Sequence, residues 1–209
     1  KQNIDTIVRL GIPHISCYAL TVEPKTPLDK LIRLQQREPV NADQQSEQFL
    51  LLMDSLELYG YEHYEISNFA KPGWRSRHNS SYWAAGERGM AATYLGIGPS
   101  AHSYDGNSRQ WNIANNASYI ESIRKGIIPF EKEVLTQKQK QHEYIMTSLR
   151  TLEGINLALL PVLGINSTDF STRAKKFLDR GLLVQKNNSL VLSKEGKLLA
   201  DGIAADLFS

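Results

Sequence analysis

The chain has 209 residues, of which 41% are hydrophobic and 22% charged, and its formal net charge is +2. This composition excludes a disordered protein, and the charge is too small to indicate a nucleic-acid partner by itself. No apolar run approaches the ~20 residues that a membrane span requires, and the first residues resemble neither a signal nor a transit peptide. The single cysteine, Cys17, excludes an internal disulfide, a zinc site of several thiolates and an iron–sulfur cluster held by this chain alone. We therefore expect a soluble globular protein of a reducing compartment, the cytoplasm.

The first 70 residues alternate between helix and strand. Apolar spacing predicts a helix over residues 3–10 with no start signal before it, which indicates that the chain is cut from a longer one. A β-rich run follows at 14–22, and a second helix begins at the N-cap Asn41 and ends at Gly60. A further strand is predicted over 61–69. This α-β-α-β order predicts a parallel sheet.

The rest of the chain divides into an irregular segment and a helical module. Residues 71–110 are rich in Gly, Ser, Asn, Tyr and Trp, and a long irregular segment in a compact protein is more often functional than not. From the capping-box residue Thr136, three predicted helices are followed by a β-hairpin over 182–192. That order is typical of a winged-helix domain, and we set its boundary near residue 133.

The densest group of candidate site residues follows the second strand. A neutral imidazole such as that of His78 is a common ligand of iron or zinc, and Tyr82 and Trp83 could cover a flat apolar ligand such as a porphyrin. Arg75 and Arg77 could pair with the carboxylates of that ligand. The alternative is a loop histidine bonded to backbone, with both aromatic rings in the core.

A glycine pair further along the chain is a second candidate. Gly96 and Gly98 permit the backbone to approach a ligand closely, but the third glycine of a dinucleotide-binding fingerprint is absent. A buried strand that leaves through a glycine turn explains the pair equally well. His102 could be a second metal ligand or a proton donor.

Polar residues also follow the two predicted strands. Glu23 comes after the first strand, and Glu65, Ser67 and Asn68 occupy the comparable place on the second. Ligands of parallel α/β folds bind beyond the carboxyl ends of the strands, which favours a functional role for these residues. Solvated loop side chains are the alternative.

The third helix of the C-terminal module is basic. A basic helix followed by a hairpin can read a DNA groove. The same side chains also suit an exposed helix face or a helix C-terminus, and in a nearly neutral chain we expect no nucleic-acid partner. The basic residues are Arg173, Lys175, Lys176 and Arg180.

Four motifs in order resemble the HemN/HemW family of radical S-adenosylmethionine (SAM) proteins, often called oxygen-independent coproporphyrinogen III oxidases. They are H-I-S-x-Y-x-L-T-x-E-P-x-T-P at 14–27, Y-E-I-S-N-F-A-x-P-G at 64–73, H-N-x-x-Y-W at 78–83 and Y-L-G-I-G-P-x-A-H-S at 94–103. The third motif marks the HemW branch, whose members are regarded as haem chaperones rather than oxidases.

The resemblance implies an α/β fold in two parts. The last strands and helices of a partial TIM-like radical SAM barrel would be followed by a mostly helical, winged-helix-like C-terminal domain. The barrel part would comprise residues 1–70, a HemW-specific linker and haem-site region 71–133, and the C-terminal domain 134–209. The family's C-x-x-x-C-x-x-C loop is not in this sequence, so the [4Fe–4S] cluster and SAM would belong to the full-length parent only. This C-terminal fragment would then be inactive as an enzyme.

The resemblance also implies roles for individual residues. His78 would be the axial ligand of haem iron, with Asn79, Tyr82 and Trp83 forming the haem environment. The SAM side of the intact protein would be lined by residues at the ends of the two strands, namely Ala19, Leu20, Thr21, Ile66 and Ser67. The stretch 84–93 is longer than the link found in the family, which affects how His78 lies relative to Gly96.

The leading functional hypothesis is haem binding and delivery to an acceptor protein that the sequence does not identify. Contact with a membrane periphery would then be made through the acceptor. A sheet edge exposed by the missing strands could pair two copies of the chain. The first alternative is radical SAM oxidative decarboxylation of coproporphyrinogen III, and the second is a winged-helix nucleic-acid-binding module.

Overall fold

The computed structural model describes residues 1–83 and 92–208 of the chain. Helices and strands alternate in its first part, which contains α1 (Gln2–Arg9), β1 (His14–Ser16), α2 (Pro27–Arg33), α3 (Ala42–Leu58), β2 (Glu62–Glu65), β3 (Asn68–Ala70), α4 (Arg77–Trp83), β4 (His102–Tyr104), β5 (Ser108–Asn112), α5 (Asn116–Arg124) and β6 (Phe130–Val134). The C-terminal module contains α6 (Gln137–Leu149), β7 (Ile155–Asn156), α7 (Leu159–Val162), α8 (Ser167–Asp179), β8 (Leu183–Lys186), β9 (Ser189–Leu192), the 3₁₀ helix η1 (Gly196–Leu199) and α9 (Ala200–Leu207).

The predicted helix starts at two positions are confirmed by their capping hydrogen bonds. The Asn41 side chain accepts a hydrogen bond from the backbone N–H of Gln44 at 2.9 Å, at the start of α3. Thr136 and Gln139 form a reciprocal capping box at the start of α6. Each cap satisfies backbone N–H groups that have no partner within the helix.

The first sheet has the order β1–β3–β2 and is antiparallel, so the prediction of a parallel sheet is wrong. The strand predicted over 61–69 divides at Ile66 and Ser67, and β3 returns between β1 and β2. The Glu65 carboxylate accepts a hydrogen bond from the backbone N–H of Ser67 at 2.9 Å and thereby stabilises a turn without glycine, which the residue pattern could not indicate. Because both outer strands are antiparallel to β3, β1 and β2 run in the same direction.

A second antiparallel sheet, with the order β4–β5–β6, lies partly within the segment that was predicted to be irregular. Residues 71–110 contain α4, β4 and the start of β5, so the prediction of little regular structure there is wrong. These strands are three to five residues long, and short polar strands carry too little hydrophobic alternation to be recognised from sequence.

The C-terminal module has a third antiparallel sheet, β7–β9–β8, packed with its helices. The predicted hairpin is confirmed: β8 pairs with β9, and Asn187 in the turn has a positive φ of 52°. β7 was not predicted. The buried core of the module comprises Tyr144, Ile145, Leu149, Ile155, Leu160, Ile165, Phe170, Ala174, Phe177, Leu182, Leu183, Leu190, Leu192, Ala200, Ile203, Ala204 and Leu207.

The C-terminal module attaches to the outer edge of β2. Thr151 bridges to Glu65, the N–H of Ile66 donates to the carbonyl of Arg150 at 3.0 Å, and the N–H of Leu152 donates to the carbonyl of Tyr64 at 3.0 Å. The segment that follows α6 therefore covers that edge of the first sheet. A smaller core cluster lies behind the sheet and comprises Ile4, Ile15, Met53, Leu56, Tyr61 and Phe69.

Candidate functional site

Helix α4 presents two different faces. Side chains four residues apart lie on the same face of a helix, so His78 is beside Tyr82, and Asn79 is beside Trp83. His78 and Tyr82 are exposed, whereas Asn79 and Trp83 are partly buried. The candidate haem residues thus separate into an outer pair and an inner pair.

The inner pair fixes α4 to the rest of the molecule. The Asn79 side-chain amide donates to Oδ1 of Asn68 on β3 at 3.1 Å. The guanidinium of Arg150 lies 4.8 Å from the centroid of the Trp83 ring, in a cation–π contact. One residue of the inner pair therefore contacts the first sheet, and the other contacts the C-terminal module.

Asn68 and Arg150 are joined through the buried carboxylate of Glu65, whose side chain is 1% exposed. That carboxylate accepts hydrogen bonds from Nδ2 of Asn68 at 2.5 Å and from Nε of Arg150 at 3.0 Å, and Nη2 of Arg150 lies 2.9 Å from it in an ion pair. Asn68 in turn accepts a hydrogen bond from Ser16 of β1 at 2.7 Å. Glu65 and Asn68, which the sequence offered as ligand-facing strand exits, are therefore committed to contacts inside the chain.

The outer pair is aromatic and open. The ring centroids of His78 and Tyr82 are 5.0 Å apart at an interplanar angle of 81°, and Tyr82 lies 5.0 Å from Tyr94. Tyr94 approaches Tyr104 of β4 at 6.0 Å, so the rings form a series from α4 to the second sheet. Within the described part of the chain, no residue hydrogen-bonds to a ring nitrogen of His78, which leaves both nitrogens available to a ligand.

The two arginines near His78 differ in their pairing. Arg75 donates to Glu62 at 3.1 Å and to Glu153 at 2.8 Å, so its guanidinium pairs with carboxylates of the chain itself. Arg77 is exposed on α4. Only Arg77 is placed to meet the carboxylates of an external ligand.

Of the glycine pair, Gly96 makes a close approach to the chain itself, whereas Gly98 has a positive φ of 103° and a Cβ on it would have no close neighbour among the described residues. A Cβ on Gly96 would lie 2.2 Å from the carbonyl oxygen of His102, and the N–H of Gly96 donates to the Ser103 hydroxyl at 3.0 Å. His102 is exposed on β4, with its ring 6.2 Å from that of Trp111. No contact among the described residues joins His102 to His78.

The proposed SAM-side residues lie at neighbouring strand ends, but some of them are exposed and one packs against the C-terminal module. The N–H of Cys17 donates to the Ser67 carbonyl at 2.8 Å, which brings the end of β1 beside the β2–β3 turn. The side chain of Ile66 packs against the core of the C-terminal module instead. The three loop residues after β1 are exposed: Ala19, Leu20 and Thr21.

Two of the four basic residues predicted on helix α8 pair with acidic residues. Lys175 lies 3.1 Å from Asp179, and Lys176 lies 2.6 Å from Asp206. These ion pairs favour a solvated helix face over a nucleic-acid surface.

Residues 1–83 and 92–208 contain neither a cluster of metal-ligating side chains nor a membrane-spanning helix. No group of three or more His, Cys, Asp or Glu side chains there could hold a metal ion. No helix in the same residues is long and apolar enough to cross a membrane. The single cysteine of the sequence is too few to ligate an iron–sulfur cluster. The exposed imidazole of His78, by contrast, suits an axial ligand of haem iron. Most of the long 84–93 link lies outside the described residues.

Sequence reasoning missed Arg150, which contacts both Glu65 and Trp83. It lies at the C-terminal end of α6, and no motif marks it. The helical nature of α4 was also missed, although the four-residue spacing of His78 to Tyr82 and of Asn79 to Trp83 was a signal for it.

Comparison with known proteins identifies the relatives of this architecture. The structure matches coproporphyrinogen III oxidase (HemN) from Escherichia coli, described as a radical SAM enzyme, with a TM-score of 0.64 over 99% of this chain and 50% of that one. At 15% sequence identity this match shows the α/β fold alone. Residues 135–199 match the model of the HemN C-terminal domain.

Several sequence relatives carry the name heme chaperone HemW. The chain is 31% identical to heme chaperone HemW of Bacillus subtilis, over 97% of this chain and 53% of that protein. It is 32% identical to heme chaperone HemW of Mycobacterium tuberculosis, over 99% of this chain and 50% of that protein, and 26% identical to the Escherichia coli protein of the same name. The chain belongs to the HemN/HemW family, as its four motifs indicated. It spans about half the length of the curated relatives that it matches.

Proposed function

We propose that this chain carries the haem-binding site of a HemW-like haem chaperone and that His78 is an axial ligand of the haem iron. The observation that carries the proposal is an exposed imidazole with both nitrogens free of described partners, on a helix whose opposite face is fixed by Asn79 and Trp83. A histidine nitrogen is a usual axial ligand of haem iron.

The surroundings of His78 suit a flat, apolar and anionic cargo. Tyr82 and Tyr94 offer aromatic faces within 5.0 Å of each other, against which a porphyrin could pack. Arg77, one residue before His78, is available to pair with a propionate. The fixed inner face lowers the entropic cost of binding because the helix is already ordered.

A hemin titration of the chain tests the assignment. We expect the wild-type protein to give a saturable Soret shift and the His78→Ala variant to lose it. The matched control is His102→Ala, which removes another exposed imidazole of the same chain and should leave the spectrum unchanged. Identical spectra for His78→Ala and wild type would overturn the proposal, as would loss of binding in His102→Ala alone.

For the fold, we propose that the first sheet and its helices complete a TIM-like radical SAM barrel in the full-length parent. Residues 1–70 would be its last part, 71–133 the haem-site region and 134–209 a winged-helix-like domain. The fold match to HemN, a radical SAM enzyme, supports the barrel although the antiparallel β3 lies between β1 and β2, and the α6–α8 helices with the β8–β9 hairpin support the winged helix. The [4Fe–4S] cluster and SAM would belong to the rest of that parent.

Two points of contact remain proposals for the same parent. We propose that the loop after β1, with Ala19, Leu20 and Thr21, faces SAM together with Ser67. The N–H of Cys17, just after β1, donates to the carbonyl of Ser67 in the β2–β3 turn at 2.8 Å, which supports it. Two copies of the chain could pair along β1, an edge strand of the first sheet.

The fold match to HemN favours a second candidate for the parent, oxidative decarboxylation of coproporphyrinogen III. An assay of the full-length protein with coproporphyrinogen III separates the two. Turnover would support the oxidase, whereas haem binding without turnover would support the chaperone.

A further inference from the structure

A cavity of about 440 Å³ lies where the first sheet meets the C-terminal module. Its apolar wall includes Met53, Tyr61 and Phe69 on one side and Val184 and Leu192 on the other. This volume falls within the range of small-molecule sites. The haem proposal does not use this cavity.

Lys197 of η1 reaches across the cavity to β2. Its Nζ lies 2.9 Å from Nδ1 of His63. The other ring nitrogen of His63, Nε2, lies 2.8 Å from the carbonyl oxygen of Ile66. Because a carbonyl only accepts hydrogen bonds, Nε2 carries the proton and Nδ1 accepts from the lysine.

The positions of both side chains are set by packing. The His63 ring is stacked on Phe69 at a centroid distance of 4.0 Å, and the Phe49 ring meets it edge-on at 5.9 Å. η1 sits tightly against the β8 side of the module, because a Cβ on Gly196 would lie 2.0 Å from the carbonyl oxygen of Leu182. Lys197 is therefore held in the cavity by the backbone that carries it.

The ammonium of Lys197 has no carboxylate within ion-pair distance among the residues that the structure describes. Of the other charged groups that line the cavity, Lys194 pairs with Asp54 and Glu62 pairs with Arg75. Lys186 and Glu57 also line it. Burial first and Lys186 second lower the pKa of Lys197 to about 8, with Glu57 partly opposing them, so the group is mostly charged at pH 7.

Among the described residues, this largely buried ammonium has a neutral imidazole as its close partner and the Glu57 carboxylate only beyond ion-pair distance, and two of its three N–H groups remain to donate. Burial also lowers the pKa of His63 to about 4, so that ring stays neutral at pH 7. An anion would supply the missing charge and would accept those hydrogen bonds.

We propose that this cavity binds a small organic anion, with Lys197 and Lys186 meeting its anionic group and Met53, Tyr61 and Val184 covering its apolar body. The predicted ligand class is a phosphate or carboxylate attached to a small hydrophobic group. Both halves of the chain contribute to the site, so it exists only when they are in contact.

Phenyl phosphate is a suitable probe, and phenol is its neutral counterpart. By isothermal titration calorimetry at pH 7, we expect saturable binding of phenyl phosphate to the wild-type chain and none of phenol. Lys197→Met should weaken the binding at least tenfold, and Lys186→Met should weaken it less. Lys175→Met, which removes a lysine that pairs with Asp179 on α8, should leave it unchanged. Benzoate and inorganic phosphate, tested in parallel, distinguish a carboxylate from a phosphate ligand and measure the contribution of the apolar body.

A second readout belongs to Lys197 alone. Because the anion stabilises the ammonium, binding at pH 8.5 should take up a proton, measured from titrations in buffers of different ionisation enthalpy. The proposal fails if phenyl phosphate does not bind the wild-type chain, if phenol binds equally well, or if a folded Lys197→Met variant binds as tightly as wild type. Thermal unfolding of each variant establishes that it is folded. If Lys197→Met does not fold, Lys186→Met and the proton measurement on the wild-type chain test the site instead.

Discussion

The first sheet and the C-terminal module are stabilised in different ways. The module closes a large apolar core of its own, to which each of its α-helices and all three of its strands contribute. The first sheet has a much smaller apolar cluster, and its junction with the module contains the buried ion pair of Glu65 and Arg150. Apolar burial is non-directional, whereas a buried ion pair requires defined geometry. The module therefore provides most of the stability, and the junction sets the position of the site helix α4.

The comparison is tested most strongly by a core substitution in the module. Phe170→Ala removes a fully buried ring and should lower the free energy of unfolding by about 4 kcal/mol, measured by urea denaturation. Phe130→Ala is the matched control, since that ring is exposed on β6 and should cost less than about 0.5 kcal/mol. An equal loss of stability at both positions would contradict the claim that the apolar core of the module provides most of the stability.

The junction is tested by Arg150→Met. Loss of the guanidinium leaves the Glu65 carboxylate buried without its cation, and the expected cost is about 3 kcal/mol. The same substitution at the exposed Arg124 should be nearly neutral. If both variants unfold at the same urea concentration as wild type, the ion pair does not hold the two regions together.

The pH dependence of the free energy of unfolding tests whether His63 is buried and neutral in the cavity. The pKa of His63 is lowered to about 4, chiefly by burial and then by Lys197, whereas the unfolded chain titrates near 6.5. The unfolded state then binds more protons between these values, so the free energy of unfolding should fall by about 2 kcal/mol from pH 7 to pH 5. Glu57, Glu62 and Lys186 also line this cavity. The readout is the difference between wild type and His63→Gln in urea titrations, and parallel curves would contradict it.

Each region was predictable from the sequence to the extent that its contacts join residues close together in the sequence. In the module, the helix faces, the Thr136 capping box and the β8–β9 hairpin all depend on residues close in sequence, and these were predicted. In the first sheet, the turn after β2 depends on Glu65, whose cation Arg150 is 85 residues away. No local pattern encodes that contact, so β3 was taken as part of β2.

The candidate site divides in the same way. The motif indicated His78, Asn79, Tyr82 and Trp83, and the structure puts all four on one helix. Which of them face outward follows from the hydrogen bond of Asn79 to the sheet and the contact of Trp83 with Arg150. Arg150 is distant in sequence and Asn68 lies outside the motif, so the motif alone could not separate the outer pair from the inner pair.

A smaller effect is expected from the inner face of α4. Asn79→Ala removes the hydrogen bond to Asn68 and should cost about 1 kcal/mol of stability. Hemin affinity should fall a few-fold because the helix is held less firmly, but less than in His78→Ala. Asn116→Ala, at an exposed position of α5, is the control for both measurements. Affinity equal to wild type would show that the inner face does not position the haem ligand.

The most direct test of the haem assignment is an NMR titration of the five histidine rings with hemin. Paramagnetic iron broadens the signals of a bound imidazole, and zinc protoporphyrin serves as the diamagnetic control. The account predicts that the ring signals of His78 disappear first, while those of the internally bonded His14 and His63 persist. Persistence of the His78 signals at saturating hemin, or first loss at His102, would contradict it.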